Sequence, residues 1–89
     1  MKYTFEFDPA ARRELRTIDL TDARRILLAI TALGDDPYAP DLDVKKLSGD
    51  DGLYRLRVGR FRVVYRIDNG RLVILVVAVG RRRDIYRGL

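Results

Sequence analysis

From Leu53 to Ile67 the chain reads LYRLRVGRFRVVYRI, and apolar residues alternate with arginines on both sides of Gly59-Arg60. A period of two predicts two β-strands, and glycine at the first position of a two-residue loop predicts a type II′ hairpin. This turn would set Arg57 opposite Arg62. The predicted apolar face consists of Tyr54, Leu56, Val58, Phe61, Val63, Tyr65 and Ile67, and the other face carries Arg55, Arg57, Arg62 and Arg66.

The basic face of this hairpin points to an anionic partner. Like charges directly opposite each other destabilise a strand pair by roughly a few tenths of a kcal/mol, and a bound polyanion would remove that cost. Residues 1–43 contain six basic and nine acidic residues, whereas residues 44–89 contain twelve basic and four acidic. A solvated surface that only aids solubility is the alternative, but it explains scattered arginines better than arginines stacked on one face.

Composition restricts the chemistry. The 89 residues are sufficient for one domain, 1–89, and include no cysteine and no histidine. Thiolate zinc sites, cysteine nucleophiles and histidine bases are therefore excluded, and catalysis would depend on Arg, Lys, Tyr and carboxylates. We expect no metal, because the three aspartates of residues 35–41 lack the spacing of a calcium loop. No apolar run is long enough to cross a membrane, so we expect a cytoplasmic protein.

The N-terminal part predicts a strand followed by two helices. Residues 2–7 alternate as a strand does, and Asp8-Pro9 is a typical helix start. A second helix is predicted from Asp19 or Thr21 to a C-cap at Gly34. The apolar stripes of the two helices are Ala11, Leu15 and Ile18, and then Ala23, Ile26, Leu27, Ile30 and Leu33.

The C-terminal part predicts one more strand. Asn69-Gly70 favours a two-residue type I′ turn, and residues 72–79 are apolar throughout, as in a central strand covered on both faces. The expected pairs are Ile67 with Leu72, Tyr65 with Ile74, and Val63 with Val76. The opposite face would then place Val73, Leu75, Val77 and Val79 beside the arginines as an apolar floor.

RNA cleavage is one reaction that such residues support. Attack of a 2′-hydroxyl on its neighbouring phosphate needs a base, cations for the extra charge on the phosphorane, and an acid for the leaving oxygen. Guanidinium groups pair with phosphate oxygens, and Tyr86 is a residue that could exchange a proton or stack on a base. From residue type alone, binding without cleavage stays open.

The order of elements resembles the RelE/ParE superfamily of toxins from type II toxin–antitoxin pairs, over nearly the whole chain. The residues that carry the resemblance are Lys45-Lys46-Leu47, segment 53–65 (LYRLRVGRFRVVY) and segment 79–86 (VGRRRDIY). The resemblance implies a RelE-like α+β fold: an N-terminal strand, two helices, and a three-stranded antiparallel meander that completes one sheet, followed by a short basic tail. It also implies a ribosome-dependent endoribonuclease that cuts mRNA without metal or cofactor, with a cognate antitoxin, the ribosome and mRNA as partners.

The same resemblance assigns roles. Arg55, Arg57 and Arg62 match basic residues that hold the phosphate and stabilise the transition state. Arg82 is similar to a tail arginine that acts as general acid or charge stabiliser, and Tyr86 to a tyrosine near the 2′-hydroxyl. The remaining basic residues expected to bind RNA are Lys45, Lys46, Arg60, Arg66, Arg81 and Arg83.

Two departures from the family bear on these roles. The best-known RelE toxins have lysines where this chain has Arg55 and Arg57, and since arginine does not release its proton, only an electrostatic role is expected there. The tail also looks shorter, so the choice among Arg81, Arg82 and Arg83 stays open. The competing hypotheses are a ParE-like inhibitor of DNA gyrase and a non-catalytic module that binds nucleic acid or protein.

Overall fold

The computed structural model describes residues 2–47 and 52–81, which form two helices and one five-stranded sheet. The elements are β1 (Thr4–Phe7), α1 (Pro9–Thr17), α2 (Leu20–Asp35), β2 (Val44–Lys46), β3 (Leu53–Val58), β4 (Phe61–Asp68) and β5 (Val73–Arg81). The strand order in the sheet is β1-β5-β4-β3-β2, with β1 parallel to β5 and the other pairs antiparallel. The predicted α+β architecture is confirmed, and β2 adds a short edge strand to the meander.

The hairpin between β3 and β4 has the predicted register. Arg57 lies opposite Arg62, and Tyr54 lies opposite Tyr65. Gly59 has a φ of +59°. A Cβ added there would meet no heavy atom within 4 Å, so the backbone conformation and not crowding is what favours glycine at this turn.

Both helices cover the same face of the sheet. The main core joins buried residues of the helices to buried residues of the central strands, among them Ala11, Ile26, Ile30, Leu33, Leu56, Val63, Tyr65, Ile74 and Val76. The side chain of Asp19 accepts a hydrogen bond of 3.2 Å from the backbone N–H of Thr21, which fixes the start of α2 where the sequence predicted it. We call this side of the sheet the helix side.

Two predictions about α2 are wrong. The helix does not end at Gly34 but continues to Asp35, and the N–H of Asp36 caps it by donating to the carbonyl of Ala32. Gly34 is buried, and its carbonyl accepts a hydrogen bond of 2.9 Å from the N–H of Tyr3, so it joins the helix to the start of β1. Leu27, placed in the apolar stripe, is 44% exposed.

The predicted register between β4 and β5 is also wrong. Ile67 pairs with Ile74 and Tyr65 with Val76. One cause is the turn, which spans residues 69–72 and ends at Leu72 with a φ of 55°, so it is longer than a two-residue Asn-Gly turn. The other cause is a bulge beside Val64 and Tyr65, after which Val63 pairs with Val79 and not with Val76.

The bulge changes the floor beneath the arginines. Val79 was predicted to lie next to them, but the shift turns it into the main core on the helix side. On the opposite side, Leu53 and Val64 form a small second cluster with Leu47, Val77 and Ala78. Neither α1 nor α2 is long and apolar enough to cross a membrane.

Candidate active site

The arginine face, which we define as Arg55, Arg57, Arg62 and Arg66, lies on the side of the sheet away from the helices. These residues alternate along β3 and β4 with Leu56, Val63 and Tyr65, which belong to the main core. Since successive side chains of a strand point to opposite faces, burial of one set against the helices directs the other set away from them. The prediction that these four arginines share one face is confirmed.

The floor of this face is apolar, and some of its side chains are short. Arg55 lies beside Val64, which pairs on its other side with Ala78, and Arg62 pairs with Gly80. An apolar floor lowers the local dielectric and strengthens interactions with an anion.

Arg55 is much more enclosed than Arg57, its neighbour on this face. Its side chain is 12% exposed, compared with 55% for Arg57. Within the described residues, the buried Nε of Arg55 has no hydrogen-bond partner. A buried N–H without a partner is unfavourable by about 1–3 kcal/mol, so the guanidinium of Arg55 is held here at a cost to stability.

Asp43 lies against two of the arginines. Its Oδ1 accepts a hydrogen bond of 3.2 Å from an Nη of Arg55, and its Oδ2 lies 3.6 Å from the Nε of Arg57. Sequence reasoning missed this residue, because nothing in the local pattern connects Asp43 to the hairpin. Only the pairing of β2 with β3, which sets Val44 opposite Leu56, brings it there.

The other predicted RNA-binding residues divide between the two sides of the sheet. Lys45 lies opposite Arg55 and extends the arginine face to the edge strand. Lys46 lies opposite Tyr54, and Arg81 opposite Phe61, so both belong to the helix side. These two residues therefore lie on the opposite side of the sheet from the arginine face, and RNA binding by them stays a prediction.

Arg60 also lies apart from the arginine face. Its guanidinium makes an ion pair of 3.2 Å with Asp22 of α2 and lies 5.5 Å from the centre of the Phe61 ring. With Arg81 it borders a groove of about 490 Å³ on the helix side, whose lining includes Glu14, Asp19 and Asp22. Because acidic residues line this groove, a phosphodiester is less favoured there than on the arginine face.

Tyr65 is not suited to exchange protons with a substrate. Its hydroxyl is buried on the helix side, and burial raises its pKa above the ordinary value of 10, with Tyr54 and Tyr38 adding to the shift and Arg55 opposing it. The predicted tail residues Arg82, Arg83 and Tyr86 lie outside the described residues. Within residues 2–47 and 52–81, no group of three or more carboxylates is arranged to hold a metal ion.

Comparison with known proteins identifies the family. The model of the ParE toxin of type II toxin–antitoxin systems matches residues 5–86. Toxin RelG of Mycobacterium tuberculosis is 36% identical over 98% of this chain and 99% of its own length. The mRNA interferase toxin RelE of Escherichia coli is 27% identical over 97% of this chain and 92% of its own length.

A solved structure supports the same assignment. The archaeal RelE–RelB complex from Pyrococcus horikoshii superimposes with a TM-score of 0.80 at 28% identity, and covers 94% of this chain and 99% of that one. The family model spans most of the sequence, and the likeness extends to the whole sheet and both helices. The chain belongs to the RelE/ParE family of type II toxin–antitoxin toxins and is a RelE-like member of it.

Proposed function

We propose that this toxin is an endoribonuclease that inhibits translation by cutting mRNA on the ribosome, in the cytoplasm. The observation that carries the proposal is the arginine face, where Arg57 and Arg62 lie directly opposite each other and Arg55 is enclosed beside them. A repulsive arrangement of this kind becomes favourable when a phosphodiester lies on it. The E. coli relative named as an mRNA interferase supports the same activity.

In the proposed reaction the 2′-hydroxyl attacks the adjacent phosphorus, and the bond to the 5′-oxygen breaks. The products are a 2′,3′-cyclic phosphate and a 5′-hydroxyl. Arg55, Arg57 and Arg62 stabilise the additional negative charge of the phosphorane, since guanidinium groups donate in pairs to phosphate oxygens. The proton of the 2′-hydroxyl passes to Tyr86 and from there to the leaving 5′-oxygen. A tail arginine, Arg82 or Arg83, adds charge stabilisation, since arginine does not release its proton and Arg81 lies on the helix side.

Substrate positioning is assigned to the ribosome. Neither histidine nor cysteine is present in the chain, so no strong base is available to compensate for a poorly aligned 2′-hydroxyl. Alignment of the attacking oxygen with the leaving oxygen then provides much of the rate enhancement. We expect weak or no cleavage of free RNA, and we infer that a cognate antitoxin holds the toxin inactive in the cell.

Cleavage of mRNA by ribosomes programmed with a defined message tests the proposal. Arg57→Ala and Arg62→Ala should each lower the rate by about 100-fold, as loss of one transition-state donor typically does. Arg25→Ala is the matched control: Arg25 is exposed on α2, on the helix side of the sheet, so its rate should stay within about threefold of wild type. Unchanged cleavage by both arginine-face variants would refute the assignment.

Inhibition of DNA gyrase is the second candidate, because the matching family model is that of ParE toxins. A supercoiling assay separates the two activities. The nuclease proposal expects full supercoiling at toxin concentrations that already cut mRNA. Loss of supercoiling together with intact message would support the gyrase candidate.

A further inference from the structure

Asp43 touches both neighbouring arginines of β3 at once. One carboxylate oxygen accepts from Arg55, and the other lies 3.6 Å from the Nε of Arg57. The backbone that carries the carboxylate is held in place, since the backbone N–H of Arg57 donates a hydrogen bond of 2.9 Å to the backbone carbonyl of Asp43. The bridge is therefore tied to the sheet at its backbone as well as at its two oxygens.

This contact restricts two long side chains that would otherwise repel each other. Arg55 and Arg57 are two residues apart on one face, so their Cα atoms are about 6.6 Å apart. Unrestrained guanidinium groups at this spacing would turn away from each other into solvent. Asp43 uses one nitrogen of each guanidinium. The other Nη of Arg55 and both Nη atoms of Arg57 remain to bind a phosphate oxygen, whereas the Nε of Arg55 is buried.

The carboxylate also has a cost for substrate binding. The negatively charged side chain of Asp43 is 56% exposed and lies on the face proposed to receive RNA. In the ground state it repels the phosphate backbone, so its removal should strengthen RNA binding. Loss of Asp43 should therefore disorder the two arginines but strengthen the attraction of RNA to this face.

We propose that Asp43 is a positioning residue that holds the guanidinium groups of Arg55 and Arg57 in the orientation needed in the transition state. This inference rests on the proposed nuclease activity, and it assigns Asp43 no contact with the reacting atoms. Misplacement of a transition-state donor by about 1 Å is enough to slow a reaction by one to two orders of magnitude. Asp43 therefore favours turnover at the expense of affinity.

The kinetic test compares Asp43→Asn with Asp41→Asn. Asparagine keeps the shape but has one acceptor oxygen, so it can accept from only one of the two guanidinium groups. On programmed ribosomes we expect Asp43→Asn to lower kcat about tenfold while KM is unchanged or lower. Asp41 is exposed, and Asp41→Asn removes the same charge two residues away, so kcat should stay at the wild-type value. Asp43→Glu, which restores the carboxylate, should recover part of kcat.

A second measurement does not depend on cleavage. In ¹⁵N-labelled full-length toxin, the Nε–H signals of Arg55 and Arg57, assigned from Arg→Lys variants, report how rigidly each guanidinium is held. Heteronuclear relaxation should show both groups becoming more mobile in Asp43→Asn and unchanged in Asp41→Asn. If wild type cuts no message, the proposed function fails, and these signals alone decide whether Asp43 orders the arginines.

Each other outcome overturns the inference. A fall in both kcat and RNA affinity would mean that Asp43 only maintains the fold. A rise in both would mean that its carboxylate obstructs the phosphate site. An unchanged kcat, an effect of the same size in Asp41→Asn, or unchanged mobility of both Nε–H groups would show that the bridge does not position these side chains.

Discussion

Replacing Tyr65 or Tyr3 by phenylalanine should change the free energy of unfolding in opposite directions. Tyr65 is fully buried, and its hydroxyl has no hydrogen-bond partner within residues 2–47 and 52–81. Its ring stacks on Tyr54 with 5.7 Å between the centroids, and phenylalanine would keep that contact. Burial of an unsatisfied polar group is unfavourable by about 1–3 kcal/mol, so we expect Tyr65→Phe to raise the free energy of unfolding by about 1 kcal/mol.

Tyr3 is the matched control. It is also buried, at 4% exposure, but its hydroxyl donates a hydrogen bond of 2.6 Å to the side-chain oxygen of Asn69. A satisfied hydrogen bond contributes about 0.5–1.5 kcal/mol. Tyr3→Phe removes the same atom from a comparably buried site, and we expect it to lower the free energy of unfolding by about 1 kcal/mol.

Urea unfolding followed by circular dichroism measures both effects. For a small domain the unfolding free energy falls by about 1 kcal/mol per molar urea, so the two midpoints should move apart by about 2 M. Cleavage activity of Tyr65→Phe should equal that of wild type, since this side chain lies on the helix side. A lower midpoint for Tyr65→Phe would show that its hydroxyl is bonded and would refute the reasoning.

Three further predictions concern stability. Burial raises the pKa of Tyr65, so the stability due to its neutral form is present below about pH 10 and is lost as pH rises from there towards the pKa in the folded protein. Phenylalanine has no such loss. In urea titrations above about pH 10, the stability advantage of Tyr65→Phe over wild type should therefore widen. Leu72 has a φ of 55°, which asparagine tolerates better, so Leu72→Asn should raise the thermal midpoint by a few degrees, equivalent to about 0.5–1 kcal/mol; a lower midpoint would contradict this. Ile30→Ala should lower the free energy of unfolding by about 2–5 kcal/mol, whereas Leu28→Ala, at 71% exposure, should change it by less than about 0.5 kcal/mol; equal losses would contradict the described core.

The local sequence pattern was sufficient to predict the hairpin and most of both helices. In the hairpin, a period of two, a glycine at the turn and an adjacent partner strand all act within a few residues, so the pairing of Arg57 with Arg62 follows from the sequence. The same holds for Asp19, whose side chain caps α2 two residues away. The sharing of one face by the four arginines is a direct consequence of these short-range rules.

Long-range contacts decided the remaining features. The bulge that turns Val79 into the core depends on how β5 fits between β4 and β1, and a continuous apolar run carries no alternation to reveal it. Arg81 lies on the helix side because it pairs with Phe61, and Arg60 lies there because it pairs with Asp22 of α2, although both were expected to bind RNA. The bridge from Asp43 to Arg55 and Arg57 required the pairing of the edge strand β2 with β3. The sequence alone thus determined which residues alternate and where the chain turns. The three-dimensional packing determined which side chains of different segments meet, because sheet register depends on contacts between segments that are separated in the chain.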